Sequence, residues 1–305
     1  MQRRTVRIAD EVAGALAAGR PVLACESTIA THGLPRPRNL QVALDAEALV
    51  RDHGAVPATI GVLDGEVVVG LSEGELERLA GSDGVHKLSA RDLPVAAATG
   101  ASGGTTVAAT AHLAHRAGIR VFATGGLGGV HRGAARTFDE SADLPALARL
   151  PVVVVSAGVK SVLDVPATLE RLETLGVAVA GYRTHAFPGF YVADSGHRVT
   201  QCLESPEQVA AAWRAARDLG LDAALLVANP VPGRDQLPPA EHDAALASAL
   251  AALETAGITG AAVTPFLLQH VRDTTGDRSL EVNVAVYRNN MDLGARIAGA
   301  LAGPG

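Results

Sequence analysis

Short apolar runs alternate with longer amphipathic stretches along almost the whole chain. PVLACE, LPVAAATG, IRVFATGG, LPVVVVSAG, VAVAGYRT and AALLVANP have the length and apolar content of buried strands. Between them, LQVALDAEALVRDHG, ELERLA, TTVAATAHLAHRAG, ADLPALARL, VPATLERLETLG, SPEQVAAAWRAARDLG and AEHDAALASALAALETAG space their apolar residues as helices do. ATIGVLDGEVVVGLS predicts a hairpin turning at Asp64-Gly65, FYVADSG a short strand, and MQRRTVRIADEVAGALAAG an amphipathic N-terminal helix. Strand-helix alternation implies right-handed crossovers and a mainly parallel sheet. No linker or internal repeat interrupts it, so residues 1–305 read as a single domain: an α/β/α sandwich, its mainly parallel mixed central sheet covered by helices on both faces. A TIM-type barrel is the competing architecture.

Composition narrows the function. The 305 residues are 48% hydrophobic but only 3% aromatic, so Val, Leu and Ala must fill the core. Few aromatics and a net charge of −6 argue against a nucleic-acid partner, which needs stacking platforms and a basic field. Cys25 and Cys202 stand far apart without metal-ligand spacing, and no apolar run reaches the roughly 20 residues that span a bilayer. The expected setting is a reducing compartment, the cytoplasm by default, with a small-molecule substrate and neither membrane nor nucleic acid as partner.

Candidate chemistry sits where apolar runs end. The most apolar run, Pro151-Val152-Val153-Val154-Val155, predicts a central strand buried on both faces, and Ser156-Ala157-Gly158-Val159 leads from it to Lys160. Ligand crevices of open α/β sheets lie outside the strands' carboxyl ends, where a partly desolvated ammonium can lose its proton and attack a carbonyl carbon. An ordinary Lys there would stay solvated, so context decides. Glu26 ends PVLACE and brings a carboxyl group to the same kind of place, as a general acid or simply a partner for a turn amide. Gly100, Gly103 and Gly104 precede Thr105 and Thr106 at a helix start, where amides and hydroxyls can cradle a phosphate. Lys87, in a loop before a strand, is a further phosphate candidate.

Residues 123–144, ATGGLGGVHRGAARTFDESADL, form a loop too long to be mere connection. Its glycine spacing does not match the dinucleotide fingerprint. Asp139, Glu140 and Asp143, with Ser141 between, offer oxygen ligands for a hard divalent ion; alternatively Asp139 or Ser141 caps the following helix.

CESTIATHGLPRPRN, VHKLSARDL, GASGGTTVAAT, ATGGLGGVHRGAARTFDESADL, VVVVSAGVKSVLD, GYRTHAFPGFY, ANPVP and TPFLL follow one another in the order and spacing of pseudouridine-5′-phosphate glycosidases. The chain resembles that family, which has the indigoidine-synthase-A-like fold, nearly end to end. The resemblance implies reversible cleavage of pseudouridine 5′-phosphate into uracil and ribose 5-phosphate, a divalent metal, typically Mn2+, and a homotrimer. Residue by residue it implies Lys160 as nucleophile, Glu26 as proton donor and Asp139 as metal ligand. Lys87, Val107, Ser141, Ala142 and Asp143 fall on substrate positions, and Thr124, His131 and Asn289 on further pocket positions. His185 and Ala186 in GYRTHAFPGFY depart from the family pattern. A Schiff-base aldolase acting on another sugar phosphate and a non-catalytic sugar-phosphate sensor are the rival readings.

Overall fold

The structure is a computed structural model that describes residues 5–258 and 263–303. Branched side chains favour the pleated conformation, and the Val-rich segments become strands accordingly. In chain order the strands are β1 (Val6–Ile8), β2 (Val22–Glu26), β3 (Val56–Leu63), β4 (Glu66–Val69), β5 (His86–Leu88), β6 (Gly103–Thr105), β7 (Val121–Ala123), β8 (Val153–Ser156), β9 (Ala178–Tyr182), β10 (Ala186–Phe187), β11 (His197–Arg198), β12 (Gln201–Leu203) and β13 (Leu225–Ala228). Eleven of them share one sheet ordered β1-β4-β3-β2-β7-β8-β13-β9-β12, with β6 against β3 and β5 against β6. From β3 to β12 along this order every pairing is parallel, whereas β4 and β6 run antiparallel to β3. The mainly parallel mixed sheet is as expected, and it does not close into a barrel.

Alternate residues of the central strands feed two cores. Ala24, Phe122 and Val154 pack with Val12, Leu113 and Leu172 from the helices Asp10–Ala17, Val107–Ala117 and Val165–Thr174. Leu23, Val121 and Val153 face the other way, against Ala46, Val209, Tyr287 and Met291 from Arg38–Asp52, Pro206–Asp218 and Arg278–Ala302. Each fully buried Val or Leu contributes about 1.5–3 kcal/mol. Helices therefore cover both faces. A third apolar cluster lies beyond the carboxyl ends of β8 and β13, where Pro239–Ala256 and Val263–Thr275 pack over Val159, Phe187 and Phe190. Among the described residues no helix is long and apolar enough to cross a membrane.

Several local expectations differ from the structure. LPVAAATG, expected as a strand, is the helix Leu93–Thr99: three Ala favour helix, Pro94 suits its first turn, and Gly100 ends it in the left-handed region at φ 73°. The stretch read as an N-terminal helix, whose residues 1–4 lie outside the described residues, contains β1 before the helix Asp10–Ala17. β1 pairs with β4, a long-range partner that local periodicity cannot reveal. FYVADSG forms no strand; the residues flanking it pair instead, as β10 and β11. Lys87 lies within β5, not in a loop before a strand. Neither Asp139 nor Ser141 is a helix cap, because the short helix Asp143–Leu147 begins after Ala142.

Candidate active site

The chain steps from β2 to β3 in one direction across the sheet and from β7 to β8 in the other. Strand order thus reverses between the neighbours β2 and β7, and a crevice opens outside their carboxyl ends. Glu26 is the last residue of β2, Thr124 and Gly125 follow β7, and Lys160 follows β8 after a short link. A cavity of about 390 Å3 lies there, and Glu26, Lys87, Lys160 and His32 all line it. Phe190 and Tyr191 form an aromatic wall, their rings meeting edge to face with centroids 4.8 Å apart. Phe190 holds a left-handed φ of 64°, a strained value for an aromatic residue, with its amide donating to the Ala157 carbonyl at 3.0 Å.

Glu26 is 9% exposed, and both its oxygens are engaged. One accepts from the Thr124 hydroxyl and the other from the Thr28 hydroxyl. Thr124 is itself held by its amide, which donates to the Val155 carbonyl at 3.0 Å, and by its carbonyl, which accepts from Asn290 Nδ2 at 2.7 Å. Three elements therefore aim one carboxyl group. The Lys160 backbone is fixed by its carbonyl, which accepts from the Leu163 amide at 2.9 Å. Lys87 has its pKa lowered, first by desolvation and then by the charge of Lys160, while Glu26 and Asp143 oppose the shift. Its side chain is open to the cavity yet surrounded by protein, so surface exposure and desolvation coexist. Arg272 also lines the cavity, ion-paired with Asp273 and Asp277 at 3.8 Å, so Lys87 and Lys160 are the two basic side chains that share the lining with the Glu26 carboxyl group, a balance that suits an anionic ligand.

The glycine-rich segments do something other than form an open phosphate cradle. Gly103 and Gly104 belong to β6, and the amide of Ala108 in the first turn of Val107–Ala117 donates to Asp143 Oδ1 at 2.9 Å. Asp143 Oδ2 accepts from the Gly128 amide, also at 2.9 Å. Only glycine fits at 128, since a Cβ there would lie 2.2 Å from Ser141 Oγ and 2.8 Å from Asp143 Oδ2. Asp143 thus occupies the helix terminus expected to receive a phosphate, its own amide donating to Ser141 Oγ at 3.2 Å, and Val107, Ser141, Ala142 and Asp143 all lie outside the lining of the cavity.

The carboxylates expected around a metal also separate. Glu140 forms a bidentate ion pair with Arg171, Asp143 binds two amides, and Asp139 alone remains open, at 39% side-chain exposure. His131 Nδ1 lies 3.6 Å from Asp139 Oδ2. Among the described residues no three His, Cys, Asp or Glu converge on a metal site. One open carboxylate fits a hard divalent ion that keeps most of its water, and does not fit a fully protein-ligated one.

The structure thus brings Lys160, Glu26 and Lys87 into one cavity, with Thr124 behind Glu26. It keeps His131 with Asp139, outside the cavity lining. It does not bring Asn289 there. That amide donates to the Pro230 carbonyl at 3.0 Å, and the asparagine lining the cavity is Asn283. His185 is outside as well, so the departure from the family pattern leaves the lining untouched. Sequence reading missed His32, Thr28 and Phe190, and also Thr264, Leu268 and Arg272 from Val263–Thr275. The spacing of four among the last three marks one helix face, a signal present in the sequence.

The family described as Indigoidine synthase A like protein matches residues 11–300. The chain is 63% identical, over 97% of its length and 98% of the relative's, to a pseudouridine-5′-phosphate glycosidase of Saccharopolyspora erythraea. It is 61% identical to a protein of the same name from Salinispora tropica, covering 96% and 90%. Two solved structures are similar: the prealnumycin C-glycosynthase AlnA in complex with ribulose 5-phosphate (TM-score 0.92, 38% identity, 99% and 98% covered) and an indigoidine synthase A-like protein from Thermotoga maritima (0.88, 37%, 99% and 99%). A family match over nearly the whole chain, with relatives well above half identical, leads to one conclusion: the chain belongs to the Indigoidine synthase A like protein family.

Proposed function

We propose that this protein is a pseudouridine-5′-phosphate glycosidase, which reversibly cleaves the C–C glycosidic bond of pseudouridine 5′-phosphate to uracil and ribose 5-phosphate. The observation that carries this reading is the delivery of Glu26 and Lys160, from strands on either side of β7, into one cation-rich cavity. The relatives' names and the sugar-phosphate complex of the C-glycosynthase support the same chemistry.

In the proposed reaction neutral Lys160 Nζ attacks C1′ of the ribose while Glu26 protonates the departing ring oxygen, opening the sugar. The proton carried by the alkylated nitrogen then passes to C5 of the uracil. The C1′–C5 bond breaks with its electron pair going to the ring, and the nitrogen lone pair forms the C1′=N iminium. An ordinary glycosidase needs no such electron sink, because its leaving group is oxygen. Thr28 and Thr124 hold Glu26 in place, Lys87 is assigned to the phosphate, and Val107, Ser141, Ala142 and Asp143 are assigned to the substrate on the family resemblance. Asp139 would hold a divalent ion, proposed as Mn2+, which supplies positive charge for the substrate's oxygens. We place this activity in a single-domain chain acting as a cytoplasmic homotrimer.

The test is direct. Purified protein with Mn2+ should release uracil from pseudouridine 5′-phosphate, and borohydride should trap ribose 5-phosphate on Lys160. Turnover of fructose or deoxyribose phosphates instead would favour an aldolase, and binding without an adduct would favour a sensor.

A further inference from the structure

The residue after Lys160, Ser161, is buried and lies outside the cavity lining. Its hydroxyl is 2.8 Å from Nε2 of His242, a buried histidine in the first turn of the helix Pro239–Ala256. Nδ1 of the same ring is 3.0 Å from Oδ1 of the exposed Asp243. A serine hydroxyl can donate or accept, so the contact between Ser161 and His242 survives whether Nε2 carries a proton or a lone pair. Neither Ser161 nor His242 lines the cavity, so this serine, histidine and aspartate do not form a nucleophilic triad acting on the cavity's ligand. What they can do is hold. Residues 127–132 fix the Lys160 segment from one side: the Lys160 amide donates to the Leu127 carbonyl at 3.3 Å, and Arg132 Nε to the Val162 carbonyl at 3.3 Å. Ser161 ties it on the other side to Pro239–Ala256. Val162, Leu163 and Ala245 share one apolar cluster there, but apolar packing is non-directional and a hydrogen bond fixes an orientation. The same end of that helix reaches the cavity's aromatic wall, since the Leu237 amide donates to the Tyr191 carbonyl at 2.9 Å and the Tyr191 and His242 rings have centroids 6.4 Å apart.

We propose that His242 is a positioning residue for the Lys160 nucleophile, acting through Ser161: the imidazole fixes the residue next to Lys160, and with it the place from which Nζ reaches C1′ of the ribose. This rests on the Lys160 chemistry proposed above. His242 neither touches the substrate nor takes a proton in the reaction. A lysine side chain is long and flexible, so the position of its Cα decides how much of its range is productive. A displacement of about 1 Å caused by a change remote from the chemistry can cost as much as 100-fold in rate. Removing the imidazole would leave the Ser161 hydroxyl buried without a partner, and the segment can relieve that only by moving. The same backbone carries Nζ through attack, C–C scission and release of the sugar, whereas the Lys87 and Glu26 sides of the cavity stay in place. Loss of the contact therefore acts on kcat and spares KM.

The experiment follows uracil release from pseudouridine 5′-phosphate with Mn2+, the rate at which the borohydride-trapped adduct forms, and the melting temperature. It compares native protein with His242→Asn, His242→Gln, Ser161→Ala and the double variant Ser161→Ala/His242→Asn. The amide of Gln extends to the position of Nε2 and can still meet Ser161, whereas that of Asn stops at the position of Nδ1. His242→Asn should lower kcat roughly 10-fold with KM changed less than about twofold, and adduct formation should slow in step. His242→Gln should recover most of that loss. Ser161→Ala, which deletes one oxygen, should lower kcat as far as His242→Asn does, and the double variant no further, because one contact is broken in each. A merely structural histidine would lower the melting temperature and leave kcat of the folded protein native. Unchanged kcat in folded His242→Asn or in Ser161→Ala, a loss confined to KM, or equal losses in His242→Asn and His242→Gln would overturn the role of His242 and leave the parent reading standing. Should His242→Asn not fold, Ser161→Ala and His242→Gln decide: the first must lose kcat and the second keep it. Absence of any adduct on native protein overturns the parent reading and this one with it.

Discussion

A wide groove beside β1 and the candidate active site differ in what their charges do. The groove, about 780 Å3, is lined by Arg7, Glu11, Glu47, Arg51, Glu73 and Glu75 among others. Its arginines are engaged, Arg7 with Glu66 and Glu75 and Arg51 with Glu11. Burial raises the pKa of Glu47, whose carboxylate accepts from the Thr59 hydroxyl. The cavity at β2, β7 and β8 is half that size, yet it gathers Lys87, Lys160 and Arg272 around one carboxyl group held by two hydroxyls. Volume marks the first; two lysines beside one held carboxyl group at a strand-order reversal mark the second, whose Arg272 is itself paired with Asp273 and Asp277 at 3.8 Å. Paired charges have little left to offer a ligand, whereas crowded cations gain when an anion arrives.

That contrast can be broken most sharply at Lys160. Lys160→Ala should reduce uracil release by about 10^4-fold or more and abolish the borohydride adduct, with the melting temperature close to native. Retained turnover would return Lys160 to the status of a surface lysine. Glu26→Gln keeps both hydroxyl contacts feasible but removes the proton, and a loss of roughly 10^2–10^4-fold in kcat is expected in steady-state assays. A loss confined to KM would instead make Glu26 a binding residue.

A milder probe uses pH. Lys87 has a lowered pKa, so its ammonium is lost sooner than that of an ordinary Lys as pH rises. Calorimetric affinity for ribose 5-phosphate should therefore be greatest while Lys87 is charged and fall as pH climbs through that lowered pKa. Lys87→Arg, which stays charged, should hold affinity to higher pH. Identical pH dependence in the two proteins would remove Lys87 from the phosphate site. The smallest effect belongs to the groove. Arg51→Gln breaks a half-exposed ion pair and should cost about 0.2–1 kcal/mol in denaturant titration, with kcat changed less than about twofold. A large loss of activity there would erase the distinction between the two regions.

Legibility in the sequence followed the range of the interactions. Four consecutive valines before Lys160 marked a central strand because burial on both faces leaves no room for polar alternation. Glu26 was legible for a similar reason, as the first charge after an apolar run. The helix at Leu93–Thr99 was misread because an apolar stretch of that length satisfies either period, and Ala content and the Gly100 stop decide between them. Asn283 and Asn289 lie on one helix six residues apart, and only the packing of that helix against β2, β7 and β8 shows which amide reaches the cavity.

The sequence by itself determined the alternation of strands and helices, the mainly parallel sheet, the position of Lys160 and Glu26 at strand ends, and the resemblance that names a chemistry for them. These depend on local periodicity and on residue type, which a linear string records. The tertiary structure alone decided that β2 and β7 are neighbours at a reversal of strand order, so that two residues far apart in the chain meet. It decided too that Asp143 and Glu140 are bound to amides and to Arg171 while Asp139 stays open, and that His32 joins the cavity lining. Such outcomes depend on which groups remain unpaired after folding, and pairing is a property of three-dimensional neighbours.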